Sequence, residues 1–502
     1  MNEGISLWET ISKREKNYPI LDNDIEVDVA IVGGGITAIT AANELIAAGK
    51  RVAILEAHQV GGLTTGYSTG NLYVAVQPFY QSIEKKFNLD TARVVAQSRL
   101  KAIDYVEKNV VEKNISCHFT RRPWYCYFQG EERISMEKEV ELLKRLDIDI
   151  DYTSEMPLAV AFKKAAVIPN QARFNPLQYV ISMAAYLHEK GCMIYENTPV
   201  THYEEKDVCF LYTKNGKKVT AKKLFLATHS PIGINYAHFF TAPYRSYVVA
   251  VHLRNNQCPE GHFWDLSKKS HIFSAHAYKS DEPELMMLSG SHHKTGQEYY
   301  TEKHYKELES ELKSCLSIED IAFKWSAQHY QSADDVPYIG LAAKTAKHTF
   351  MATGYFADGL TYGTVAGLAI ADLILDKTMP FNGVYQSNRH TIGASLGFLT
   401  KENINVAKQY SKDLPIFAKT NFESIAEGEG KIVEINQEKF AVCRDNNELH
   451  MVSAVCTHMK CIVNWNRAEK TWDCPCHGSR FTKQGKVIEG PAMMDLTLKE
   501  TK

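Results

Sequence analysis

Four residues in the last fifth of the chain have the types and spacing of a metal site: Cys456 and His458 one residue apart, then, after a fifteen-residue gap, Cys474 and His477 two residues apart. Thiolates and imidazoles bind soft and borderline metals. Two of each suit a tetrahedral zinc ion, or a [2Fe-2S] cluster in which one iron takes both thiolates and the other both imidazoles. Replacing two anionic thiolates by neutral imidazoles raises the potential of such a cluster to roughly −150 to +300 mV. The pattern C-x-H-x15-C-x-x-H is read as the cluster, with Cys456 and Cys474 on one iron and His458 and His477 on the other. A zinc ribbon is the competing reading.

The text around the ligands extends the match. Cys456-Thr457-His458-Met459-Lys460-Cys461 and Cys474-Pro475-Cys476-His477-Gly478-Ser479 closely resemble the two cluster-binding loops of Rieske proteins. Rieske domains of the bc-complex type carry one further cysteine in each loop, joined by a disulfide, and Cys461 and Cys476 stand at those positions; the resemblance therefore implies a Cys461–Cys476 bridge. Ring-hydroxylating oxygenases usually lack that pair. Two departures bear on the potential and not on the cluster itself. Phe481 stands where high-potential relatives carry Tyr, leaving Ser479 as a donor, and Gly490-Pro491-Ala492-Met493 lacks the second Pro of the usual Gly-Pro-Ala-Pro loop.

These loops need a scaffold. Lys431–Ile435 and Lys439–Val442 alternate as strands of a small antiparallel domain that holds the cluster. A second motif opens the chain: the apolar strand 27–32, the turn Gly33-Gly34-Gly35, an Ala-rich helix over 36–48 and a strand over 51–55. Gly33 permits the tight turn, Gly35 lets the backbone approach a pyrophosphate, and Ala38 is the small residue needed where helix meets strand. Glu56 ends the second strand, where its carboxylate can accept the ribose hydroxyls of an adenosine and repel a 2′-phosphate.

Gly61-Gly62-Leu63-Thr64-Thr65-Gly66 resembles the second loop of FAD-dependent oxidoreductases of the D-amino-acid oxidase superfamily, where it runs along the flavin. His348–Thr353 followed by Gly354-Tyr355-Phe356-Ala357-Asp358-Gly359-Leu360 and a helix over about 361–375 is similar to the same superfamily, as are Leu226–His229 and Asp335–Gly340. The resemblance implies FAD contacts from Gly62, Thr64, Thr65, Val200, Gly354, Asp358, Gly359 and Leu360. The helix would aim its positive end at the flavin edge that gains negative charge on reduction. Tyr67 stands where relatives with histidyl-linked flavin carry their attaching His, so the FAD is expected to be noncovalent, with His58 the remaining candidate for a link.

The whole chain thus resembles oxidoreductases that join an FAD unit to a Rieske unit. The expected architecture is an α/β Rossmann-like FAD-binding domain over 1–385, with an α+β substrate domain inserted at about 70–330. A connecting segment follows over 386–420, with a polar helical stretch from Lys401 to Lys412, and then a small all-β Rieske domain over 421–502. In the middle, helices are expected over 91–110, over 304–316 and after Asn175-Pro176. Arg173 and Arg245, with Tyr247 beside the latter, are candidate binders of a substrate carboxylate because a guanidinium presents paired donors; an exposed, salt-bridged arginine is the simpler reading of each. His271 and His276 have the spacing of a mononuclear iron site, but Lys268 stands where a carboxylate is needed, so they are read as surface or strand histidines. His292-His293 shows no partner pattern.

Composition excludes several classes. The chain has 502 residues, 44% hydrophobic and 23% charged, and a net charge of −2, which offers no basic field for nucleic acid. Neither a secretory signal nor a run of roughly 18 apolar residues is present, so no membrane span is expected and the cytoplasm is the expected location. Of the eleven cysteines, Cys117, Cys126, Cys192, Cys209, Cys258 and Cys315 show no metal spacing and read as buried thiols. The expected function is oxidation of a small amine, amino acid or hydroxy compound by FAD, with electrons passing through the cluster to an external acceptor or carrier. The alternatives are an electron-transfer protein with no small-molecule substrate of its own, or an oxygen-using oxidase that keeps the cluster for structure.

Overall fold

The computed structural model describes residues 2–132, 134–267, 271–278, 282–377, 381–389, 391–412 and 425–498. Ile25–Val32 is buried along most of its length and lies inside an eight-stranded sheet, parallel to Val52–Leu55 on one side and to Lys218–Leu226 on the other. Thr349–Thr353 and Met193–Tyr195 extend the parallel run at its two ends. Such strands need cover on both faces, and helix Ile36–Ala47 supplies part of it.

The turn before that helix requires glycine. Gly33 has φ +102°, and a Cβ there would lie 2.6 Å from the Ala227 carbonyl oxygen. The helix crosses a second one, Gly359–Ile374, at very close range. A Cβ on Gly363 would sit 2.6 Å from Thr37 Oγ1, and one on Gly367 2.6 Å from Thr40 Cβ. Glycine at every fourth position of one helix face is what permits the crossing.

The second sheet has eleven strands and forms the opposite wall of the molecule. Its long members are Thr241–Leu253, Leu285–Lys294 and Ile318–Ser332, paired antiparallel. The amino terminus joins it through Asn2–Glu3, parallel to Ile318–Ser332. The expected single insertion over about 70–330 is divided: Met193–Leu226 returns to the first sheet, so the eleven-stranded sheet is built chiefly from two excursions, on either side of that return. The helices Leu89–Glu112, Pro176–Glu189 and Glu302–Cys315 lie where expected, and Asn175 caps the second by accepting from Gln178 N at 3.0 Å.

The connecting segment is more ordered than its polar text suggests. Arg389 anchors it to Asp334 at 2.6 Å, both buried, and helix Ile392–Lys412 starts nine residues before the expected stretch. Residues 413–424 lie outside the described part. The carboxy-terminal unit consists of a three-stranded sheet, Gly430–Ile435, Glu438–Asp445 and Glu448–Ser453, and a four-stranded one running from Asn464–Asn466 to Val487–Glu489. Trp472 and Phe481 are paired neighbours in the latter and fully buried.

His271 and His276 belong to a strand, as one reading had it, but they are buried and not on the surface. An odd separation of five puts them on opposite faces. His271 Nδ1 pairs with Glu311 at 2.5 Å and His276 Nε2 with Asn71 Oδ1 at 3.1 Å, so they do not form a joint metal site.

Candidate active site and metal centre

A cavity of about 670 Å³ runs between the two large sheets. One end is made by the glycine turn: Gly33 and Gly35 line it, with the first turn of helix Ile36–Ala47 directly behind. The positive helix end here suits an anionic group such as a pyrophosphate. Glu56 stands beside it, 7% exposed, accepting from Gly34 N at 2.6 Å and His58 N at 2.8 Å. Burial pushes its carboxyl above the usual range, and the two backbone donors oppose that. Gly62, Thr64 and Thr65 form the next stretch of wall, and Thr65 Oγ1 accepts from Ile36 N at 3.2 Å. Val200 lines the same end.

Farther along, Asp358, Gly359 and Leu360 bring in the start of helix Gly359–Ile374, so a second positive helix end faces the cavity. Asp358 accepts from the Tyr73 hydroxyl and pairs with Arg99 at 3.4 Å, both ionic side chains being fully buried. Arg99 also donates to the backbone carbonyls of Tyr73, Val74 and Ala75, tying the wall together. Burial raises the Asp358 carboxyl and Arg99 opposes it. Two expected contacts do not reach the wall. Ala38 is buried inside the helix packing, and Gly354, at φ +81°, turns the chain against Ser332 one residue before Tyr355 joins the wall.

The three candidate substrate binders lie away from the cavity wall. Arg173 is buried, donates to the Ala275 carbonyl and pairs with Glu284. Arg245 is buried and pairs with Glu469 at 2.6 Å and Glu489 at 3.8 Å, both in the carboxy-terminal unit. Tyr247 bonds His293 Nε2 at 2.9 Å. None of the three lines the cavity, and each is occupied by a partner too distant in sequence to read from the chain.

The cysteine and histidine ligands converge at the face where the two units meet. The Cys456 and Cys474 sulfurs share a hydrogen bond, which pulls the Cys456 thiol down to about 7 and pushes Cys474 up. The His458 and His477 rings lie edge to face, 5.0 Å apart, and the Nδ1 of each is buried with no partner among the described residues. His458 Nε2 lies 3.1 Å from the Gly233 carbonyl oxygen, the bond that fixes the proton on Nε2 and leaves Nδ1 free for a metal. Burial holds the His477 ring down to about 3, so its lone pair is available. Two thiols and two imidazole nitrogens are the donor set a [2Fe-2S] cluster takes with two ligands on each iron. The trio of sulfurs that gathers within 4.8 Å, Cys461, Cys474 and Cys476, includes both sulfurs of the Cys461–Cys476 disulfide and is therefore no metal site.

The two cofactor sites share a wall, which the sequence did not reveal. Glu489, Gly490, Ala492 and Met493 of the carboxy-terminal unit line the cavity. Ala492 N donates at 3.0 Å to Ser479 Oγ, whose hydroxyl is hydrogen-bonded to Cys456. Across the seam, Gln328 donates to Gly478 O at 2.8 Å, Tyr330 to His477 O at 3.3 Å, and Gly233 N to Pro491 O at 3.2 Å. His238 packs against both histidine ligands, 4.7 and 5.6 Å between ring centres. Its own nitrogens meet Asn235 N and Pro231 O, and burial keeps it neutral. Arg99 could have been noticed, since it interrupts the apolar stripe Val95, Ala96, Ala102, Ile103 of its helix.

Residues 28–373 match the model of the FAD dependent oxidoreductase family, and residues 416–499 that of the Rieske [2Fe-2S] domain. A Bacillus subtilis (strain 168) protein named "Putative Rieske 2Fe-2S iron-sulfur protein YhfW" is 33% identical over 97% of this chain and 96% of its own length. The cytochrome b6-f complex iron-sulfur subunit of Chlorobaculum tepidum is 42% identical over 14% of this chain and 40% of its own length. Among solved structures, glycine oxidase from Geobacillus kaustophilus superposes with a TM-score of 0.61 at 19% identity, over 73% of this chain and 99% of its own, a likeness of fold.

Proposed function

Because the chain belongs to the FAD dependent oxidoreductase family and continues into a Rieske [2Fe-2S] domain, we propose that it oxidises a small amine, amino acid or hydroxy compound and sends the electrons one at a time to an external acceptor. Bound FAD supplies two-electron oxidation of a C–H bond, and the cluster supplies single-electron steps. Gly33, Gly35 and Glu56 hold the adenosine diphosphate end. Asp358, Gly359 and Leu360 place a positive helix end where reduction adds negative charge. Tyr67, a cavity-lining phenol, cannot supply a histidyl link, and His58, also on the wall, has its Nε2 3.3 Å from the Ile488 carbonyl oxygen, so the flavin is taken as noncovalent.

The observation that carries the reading is the shared wall: one loop, 490–493, borders the cavity on one side and reaches Cys456 through Ser479 on the other. In the test, holoprotein under argon is mixed with a panel of amines, amino acids and hydroxy acids while flavin absorbance and the electron paramagnetic resonance of the reduced cluster are followed. Flavin bleaching followed by the cluster signal is expected. A cluster that stays oxidised beside reduced flavin would overturn the electron route, and reduction only by a protein or dithionite would mean an electron-transfer protein without its own substrate.

A further inference from the structure

The cavity has two chemically different ends. The end opposite the glycine turn is walled by the eleven-stranded sheet, through Ser246 of Thr241–Leu253, Ser289 and His292 of Leu285–Lys294, and His329 of Ile318–Ser332. His329 is 4% exposed, and neither of its ring nitrogens has a hydrogen-bond partner among the described residues. Its direction follows from strand alternation. Gln328 and Tyr330, on either side, donate to backbone carbonyls of the Rieske unit and border the cavity from that side, whereas His329 shares the other face of the paired strands with Ser246 and Val248, which also line it. His292 stands next to His329, 5.2 Å between ring centres and perpendicular, with Nδ1 buried and unpartnered. A buried ring nitrogen without a partner is costly, and on a cavity wall a ligand can provide that partner.

We propose that His329, with His292 beside it, is the proton acceptor at the substrate end of this cavity and that the pair selects a substrate by an amine or hydroxyl on the carbon to be oxidised, not by a carboxylate. The inference rests on the reading of the cavity as an FAD site and narrows it. Neutral imidazoles accept from N–H or O–H and carry no charge to compensate a buried carboxylate. No described Arg or Lys lines this end; Lys214 and Lys486 line the adenosine end, where Lys214 pairs with Asp495 at 2.6 Å. His329 is held well below its ordinary value by burial first, then by His292, by His229 from the loop after Lys218–Leu226, and by Arg245 and His293. His292 is likewise held to about 4 by burial and by His271, His293 and His304.

For a hydroxyl substrate, the O–H bond breaks with its proton passing to His329. The C–H bond breaks with its electron pair and hydrogen passing to oxidised FAD, and C=O forms. An amine substrate binds as the free base with an N–H donating to His329, and the C–H hydrogen leaves with its pair to FAD, giving an iminium ion. In both cases the substrate loses two electrons and FAD gains them.

The test uses three probes of one shape that lack the C–H bond to be oxidised: tert-butylamine, tert-butanol and pivalate. Each is titrated into oxidised holoprotein while the flavin absorption spectrum is recorded. Perturbation by the amine or the alcohol is expected, weakened about tenfold or more by His329→Ala and partly restored in His329→Gln, which keeps an acceptor. Both variants must retain the FAD and cluster spectra. Tighter perturbation by pivalate than by the other two, or unchanged affinity in His329→Ala, would overturn the proposal. Because the probes are not oxidised, the outcome does not depend on whether any panel compound reduces the flavin. A failed panel therefore counts against the proposed function, and a failed titration against the histidine pair.

Discussion

Replacing Arg245 by Met should loosen the Rieske unit and, with it, FAD. Arg245 belongs to the substrate sheet and is 1% exposed; it faces Glu469 at 2.6 Å and Glu489 at 3.8 Å, each with a side chain 12% exposed. Arg480 is the other cation, pairing with Asp473 at 3.1 Å and Glu489 at 3.2 Å and also with Glu469. Two guanidiniums thus hold three carboxylates, and removing one raises the excess negative charge from one to two in a buried place. Truncating one partner of such a pair costs roughly 3–5 kcal/mol, and at the low end that is a factor of about 150 in an equilibrium constant. The charges lie on opposite sides of the seam, so the cost falls on docking. Glu489 also lines the cavity, so undocking opens the FAD site. Equilibrium dialysis with flavin fluorescence should show FAD binding at least about tenfold weaker in Arg245→Met, and the double variant with Glu469→Gln should recover part of the loss. Unchanged FAD affinity and an unchanged unfolding transition, with the cluster spectrum intact, would refute the network as the clamp.

Gly35→Val should abolish FAD binding while the cluster spectrum persists, because a Cβ there already meets Thr65 Oγ1 at 3.0 Å and two further methyls would fill the pyrophosphate cradle; flavin absorbance of purified protein reports it. Ser479→Ala removes a donor to Cys456 whose bond strengthens as the cluster gains charge. A bond to a charged group is worth about 1.5–3 kcal/mol, and 59 mV is a tenfold step for one electron. The potential should therefore fall by at most roughly 60–130 mV in a redox titration, and Phe481→Tyr should raise it by a smaller amount. Asp445 is held to about 2 by hydrogen bonds from Lys470 and Lys483, against an ordinary 3.8. A depressed carboxyl stabilises the fold above its unfolded pKa and ceases to as pH falls through the folded one. Urea midpoints of Asp445→Asn should accordingly lie below wild type at pH 7, and the gap should close between about pH 4 and 2.

Chemistry that depends on residue type at short spacing could be read from the chain alone. The ligands Cys456, His458, Cys474 and His477 belong to two tight loops, and Gly33, Gly35 and Glu56 to one strand–turn–helix–strand unit, so local geometry dictates them. Many strands of the substrate sheet were not legible, because His271–His276 and most of Leu285–Lys294 are buried on both faces and lack the alternation that betrays a half-exposed strand. Arg173 and Arg245 looked available for a substrate because their carboxylate partners stand 111 and 224 positions away, in contacts that only folding makes. The same holds for His329, an undistinguished residue in sequence whose place on the cavity wall comes from the pairing of its strand with Thr241–Leu253. The sequence by itself determined which cofactors the chain can hold, since ligand chemistry is local. The tertiary structure alone decided that the two sites share a wall and which side chains are left free to meet a substrate, because burial and pairing are settled by surfaces far apart along the chain.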